Sequence, residues 1–204
     1  MQSSVRIRFN RTFHVVALLA LCASAMPARA ASTVVPGNGQ HDFDWEIGTW
    51  KTEVRRLAKP LSGSSEWVEY TGTSVVRTVL DGRANLVERR AAGPAGRIEG
   101  ASLRLYTPRT GQWTLNYASA SSGALTRPVH GGFRDGRGEF FGQDDLDGRA
   151  ILVRFVIAEI ALDSARFEQA FSEDGGRNWE TNWIAIDTRV DGAGQEHKPP
   201  QARP

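Results

Sequence analysis

A few polar residues stand where apolar ones would be expected. Arg154 lies between Val153 and Phe155 in the run Ile151-Leu152-Val153-Arg154-Phe155-Val156-Ile157, the most hydrophobic stretch after residue 30. Glu88 follows Leu86-Val87, and Gln169 shares an alternating face with Phe167 and Phe171. A buried guanidinium needs a carboxylate or a ligand anion, because an unpaired buried charge is prohibitively costly. Arg154 and Glu88 are therefore expected to face an apolar interior, with Gln169, Tyr117, Trp183 and Trp50 completing a ligand-binding set. Few polar anchors in an aromatic wall are the usual makings of a small-molecule pocket. The opposite arrangement, in which Arg154 runs along the outer face toward a surface acid, is equally compatible with the sequence.

The same groups would also permit catalysis. Glu88, its pKa raised by burial, could act as general base for lyase, isomerase or hydrolase chemistry beside Arg154 and Tyr117. No motif specifies a reaction and no catalytic residue is assigned. Binding of a small, partly apolar ligand is thus the leading expectation, an enzyme the alternative, and an interaction protein a third.

Other chemistries are harder to assemble. After residue 30 there is no Cys and no Met, which removes disulfides, thiol nucleophiles, thiolate zinc sites and Met-ligated haem from that stretch. Its histidines are His41, His130 and His197, and only His130, in Pro128-Val129-His130-Gly131-Gly132, could point inward from a barrel wall. A lone strand His is more often structural or exposed than a haem ligand. Asp144, Asp145 and Asp147 resemble a calcium loop, but Gly148 comes too early and Phe155 stands where the bidentate Glu belongs. There is no H-E-x-x-H, G-x-S-x-G or phosphate-binding glycine motif, and neither cofactor nor metal is expected. The segment from Ser172 to Trp179 matches the Asp-box pattern S-x-D-x-G-x-[ST]-W except at Asn178. A single copy is expected to be a hairpin locked by Asp174 and Trp179.

The elements that must position these residues are marked out by turns. Turn signals fall at 59–65, 81–82, 93–96, 107–111, 121–123, 134–138, 146–148, 162–164 and 174–176. Asp-Gly pairs supply the positive φ of tight hairpins. Between the turns lie about ten β-branched and aromatic segments, the spacing of an all-β meander. Ten short-connected antiparallel strands leave two edges unless the sheet closes. The predicted fold is a single antiparallel up-and-down β-barrel of about ten strands, wide enough to hold a small ligand.

The ends bound the domain. Arg6, Arg8 and Arg11 precede an apolar run of about 13 residues, too short for the roughly 20 that span a bilayer. Ala28-Arg29-Ala30 then offers a signal-peptidase site. Residues 1–30 are expected to be a signal peptide, 31–40 a flexible leader, 41–190 the barrel and 191–204 a disordered tail. The whole chain has a formal net charge of +2, but four Arg and no acid lie in 1–30, leaving 21 basic and 23 acidic side chains. The apparent basicity belongs to the signal, so nucleic acid is not an expected partner. A periplasmic or secreted protein with no membrane span after processing is expected; oligomeric state is not encoded legibly.

Gly48-Thr49-Trp50 matches the G-x-W that opens the first strand of lipocalin-like (calycin) barrels. With it go FDWEIGTW (43–50), LDGRANLVERR (80–90), YTPRTGQW (106–113), GRGEFFGQDDLDGRAILVRF (136–155) and FSEDGGRNWETNW (171–183). Taken together, these resemble a family of secreted bacterial β-barrel proteins with a lipocalin-like fold. The resemblance runs from residue 42 to about 189 and implies that Trp50 lies across the closed end. It implies no particular reaction.

Overall fold

The computed structural model describes residues 39–190. The expected signal segment, leader residues 31–38 and the tail 191–204, with His197, lie outside the described residues. Two short 3-10 turns, Gly39–His41 and Asp44–Glu46, precede the strands. The strands are β1 (Gly48–Leu57), β2 (Trp67–Val79), β3 (Ala84–Gly93), β4 (Gly96–Thr107), β5 (Gln112–Ser119) and β6 (Ala124–Leu125). They continue with β7 (Val129–Arg134), β8 (Arg137–Leu146), β9 (Arg149–Ala158), β10 (Ser164–Ser172) and β11 (Glu180–Arg189).

Sequence neighbours pair antiparallel, except that the two-residue β6 hangs on β5 and leaves β5 to pair with β7. β1 pairs with β11, so the other ten strands close into one lipocalin-like barrel. Closure satisfies the backbone on both sides of each strand and removes the edges. Each expected turn falls at a connection between strands, and Asp81-Gly82, Asp135-Gly136 and Asp147-Gly148 all carry the paired positive φ of tight hairpins. One segment differs. The stretch after Gly123 was expected as one strand but breaks between β6 and β7, where Pro128 has no amide to give to a ladder.

Period two decides what faces inward. The half of the barrel nearest the amino-terminal turns is packed solid by Phe43, Val54, Trp113, Phe140, Ile157 and Phe167. HDFDWEIGTW is the plug of this end. Phe43 meets Trp113 and Phe133 edge-on, with ring centroids at 4.8 and 4.9 Å. Gly48 has φ +133°, a conformation that side chains disfavour, and this bend delivers Trp50 into the interior. Trp50 is fully buried, donates from Nε1 to the Glu46 carbonyl at 2.7 Å, and carries the Arg189 guanidinium 4.1 Å over its ring. The Glu46 carboxylate accepts two hydrogen bonds from Arg104 of β4, which itself lies 4.3 Å over Phe43. Truncating an aromatic in such a setting typically costs about 3–5 kcal/mol.

Candidate functional site

The opposite half of the barrel is not filled. It holds a cavity of about 490 Å³, within the range of about 300–1,000 Å³ typical of small-molecule sites. Its wall comes from the strand ends next to the 58–66, 120–128 and 173–179 connections, and Ser121, Ser122, Thr126 and Arg127 of the second connection reach over it. Phe155, Phe167, Phe171 and Trp183 make one side aromatic. Gln169 and Trp183 are register partners at a β-bulge between β10 and β11, where Asn182 is the extra residue. Bulges of this kind re-aim side chains, and here both partners line the cavity.

Below the aromatic side, a polar network crosses four consecutive strands. Asp187 of β11 accepts from Thr52 of β1 on Oδ1 and from Arg89 Nη2 of β3 on Oδ2, the latter at 2.9 Å. Arg89 Nε donates to Ser74 Oγ of β2, also at 2.9 Å. The Asp187 side chain is 2% exposed and that of Arg89 13%. The guanidinium lies 5.7 Å from the Phe167 centroid and 5.8 Å from that of Trp183. A buried ion pair of this kind survives only with such additional hydrogen bonds. Arg89 is thereby fixed with part of its donor fork still facing the cavity.

Tyr117 also lines the cavity, its ring packed against Gly100, where an added Cβ would stand 2.3 Å from the hydroxyl. Burial pushes the Tyr117 phenol above its ordinary pKa, while the Arg89 and Arg56 guanidiniums pull it the other way. The phenol therefore keeps its proton at neutral pH and can donate it in a hydrogen bond.

The six expected site residues divide. Tyr117, Gln169 and Trp183 come together on the cavity wall. Trp50 is in the barrel but at its plugged end, packed with Val76 and Val87. Glu88 and Arg154 were expected in the lumen, and the structure corrects both. Glu88 is on the outer face, 3.4 Å from Arg77 and 3.9 Å from Arg90. Arg154 is also on the outer face, 4.8 Å over the Trp179 ring. The reason is parity: Val153 and Phe155 line the cavity, so the residue between them must point away. Removing Glu88 from the lumen also removes the general base on which the enzyme alternative relied. His130 is exposed, its Nδ1 3.1 Å from Thr114 Oγ1, and so does not enter the interior. Among the described residues no group of three or more His, Cys, Asp or Glu is placed to hold a metal.

Sequence reasoning missed Arg89, Asp187 and Arg104. For Arg89 half the signal was present: period two groups Arg89 with Val87 and Glu88 with Leu86, and the structure places the first pair inward. For Asp187, the alternation Trp183, Ala185, Asp187 carries the same message. The Asp-box segment forms the expected hairpin. The Asp174 carboxylate, held down to a pKa of about 2, accepts from the Asn178 amide, the Asn178 side chain, the Ser172 hydroxyl and the Arg177 amide. Trp179 Nε1 closes the loop on the Gly176 carbonyl at 3.0 Å.

No protein-family model matches the chain, and no curated protein matches it. Among solved structures it is similar to the S-type phycobiliprotein lyase CPES of Guillardia theta, at 11% identity and a TM-score of 0.53, covering 76% of this chain and 97% of that one. A de novo designed fluorescence-activating β-barrel matches at 13% identity and a TM-score of 0.39, covering 72% and 94%. A redesigned β-barrel, mFAP0, bound to DFHBI, matches at 11% identity and a TM-score of 0.41, covering 71% and 99%. At these identities the likeness concerns the fold. Among the described residues no helix is long and apolar enough to cross a membrane.

Proposed function

We propose that this protein is an exported barrel that binds a small, partly apolar molecule in its lumen. The observation that carries the reading is the division of the interior: one half packed solid, the other enclosing about 490 Å³ between aromatic walls and a fixed polar floor. A barrel needing only stability would fill both halves, since empty volume forfeits packing energy. Tyr117, Gln169 and Trp183 are the expected ligand contacts, with Arg89 added to them. Export rests on the amino-terminal pattern, and membership of a secreted bacterial family on the motifs between residues 43 and 183.

The test uses N-phenyl-1-naphthylamine, an uncharged aromatic probe that fluoresces in apolar surroundings. The wild type should show saturable binding, and Ser102→Trp, which places an indole in the cavity, should abolish it. Arg154→Leu should bind as the wild type does, because Arg154 is outside the lumen. Absence of saturable binding both of this probe and of its anionic sulfonate analogue, or equal binding by Ser102→Trp, would overturn the reading. Export is tested separately by the mass of the chain recovered from its host: processing after Ala30 supports it, an intact amino terminus refutes it.

A further inference from the structure

We infer that the ligand is an aromatic or conjugated organic anion, its charged group held between Arg56 and Arg89 beside the Tyr117 hydroxyl. This inference rests on lumenal binding and narrows it to a chemical class.

The charge around the cavity is unbalanced. Arg56, Arg89, Arg97, Arg104 and Arg127 line it, against Glu99 and Asp144. Arg97 is within 3.6 Å of Glu99, while Arg89 and Arg104 pair with the carboxylates of Asp187 and Glu46 behind the wall. Arg56 and Arg127 have no such partner among the described residues. Guanidiniums facing a partly enclosed, low-dielectric space repel one another, and an anion placed among them converts that repulsion into attraction.

The donors converge as well. Arg89 has five N–H groups; Nε is given to Ser74 and one Nη2 proton to Asp187, so the Nη1 pair has no protein acceptor among the described residues. The Tyr117 hydroxyl likewise has no protein hydrogen-bond partner among them. Arg56, Arg89 and Tyr117 all line the one cavity. A planar fork and a neutral phenol offer a carboxylate, phenolate or sulfonate several convergent donors. The rest of the ligand would then lie against Phe155, Phe171 and Trp183, partly buried aromatic side chains that line the same space.

The experiment compares two probes with one aromatic skeleton: 1-anilinonaphthalene-8-sulfonate, which is anionic, and N-phenyl-1-naphthylamine, which is not. The full chain should bind the sulfonate about tenfold or more tightly than the neutral probe, a preference that shrinks as salt is raised. Arg56→Gln, at an exposed position that the fold does not need, should weaken the sulfonate about fivefold or more while changing the neutral probe far less. Tyr117→Phe should act in the same direction. Ser102→Trp should abolish sulfonate binding; if it does not, the dye sits outside the lumen and the inference falls. Equal affinities for the two probes, or an Arg56→Gln variant that keeps the preference, overturn the anion inference but leave lumenal binding intact. If neither probe binds, both fail.

Discussion

Changing Asp187 to Asn should separate what holds the barrel together from what the barrel holds. Asp187 is buried and is the counterion of Arg89. Breaking a buried pair by removing one member costs about 3–5 kcal/mol, since the remaining charge is left uncompensated. Here the low end applies: Arg89 faces a cavity that admits water, and an Asn oxygen can still accept from Thr52. About 3 kcal/mol is a large share of the roughly 5–15 kcal/mol that stabilises a domain. At about 2–4 °C per kcal/mol for this size, the midpoint should fall by roughly 6–12 °C. Urea and thermal unfolding of Asp187→Asn, and of Asp187→Asn with Arg89→Met, measure the effect. The double variant leaves no unpaired charge at this site and should return to within about 1 kcal/mol of the wild type.

Binding should diverge from stability in the same pair of variants. A guanidinium freed of its counterion remains available to an anion, so Asp187→Asn should hold the naphthalene sulfonate at least as tightly as the wild type. The stable double variant should lose the preference for it. A cost below about 1 kcal/mol for Asp187→Asn, or a double variant as unstable as the single one, would refute the claim that the Arg89–Asp187 pair is electrostatically buried.

Two further outcomes follow from the same physics. Glu46→Gln should cost about 3–5 kcal/mol in urea unfolding, because the buried Arg104 is left charged over the Phe43 ring without its carboxylate, and adding Arg104→Met should recover most of it; a near-neutral single variant would show that the aromatic packing alone fastens the plug. The Asp174 carboxylate has its folded pKa depressed to about 2 by the Asn178, Ser172 and Arg177 donors, against about 3.9 in an unfolded chain. Its contribution is complete above the unfolded value and is lost as pH falls through about 2. Asp174→Asn should therefore flatten the acid limb of the midpoint-against-pH curve between about pH 4 and 2, and parallel curves would exclude this role for the hairpin.

Local chemistry was enough to specify the architecture. Asp-Gly pairs at 81–82 and 147–148 have one cheap conformation, and β-branched runs between them have one cheap extended state, so turn spacing yielded the strands. Closure followed because open edges are unfavourable. The end-plug role of Trp50 came from the resemblance of Gly48-Thr49-Trp50 to the lipocalin-like opening, while its expected place among the ligand contacts did not hold. Pro128 alone broke the pattern, by removing one donor.

The lining of the cavity needed the folded molecule. Arg154 and Glu88 looked buried because their neighbours are apolar, but a strand in a barrel has two faces and adjacent residues cannot share one. Leu86 and Val87 are both apolar, so that segment alone does not announce which of Glu88 and Arg89 turns inward. Nor does sequence reveal that Thr52, Ser74, Arg89 and Asp187, drawn from β1, β2, β3 and β11, meet at one point. Periodicity is a property of one strand, and it fixed the set of possible inward faces. Only closure of the sheet, joining the first strand to the last, set those faces against one another and left part of the space between them empty.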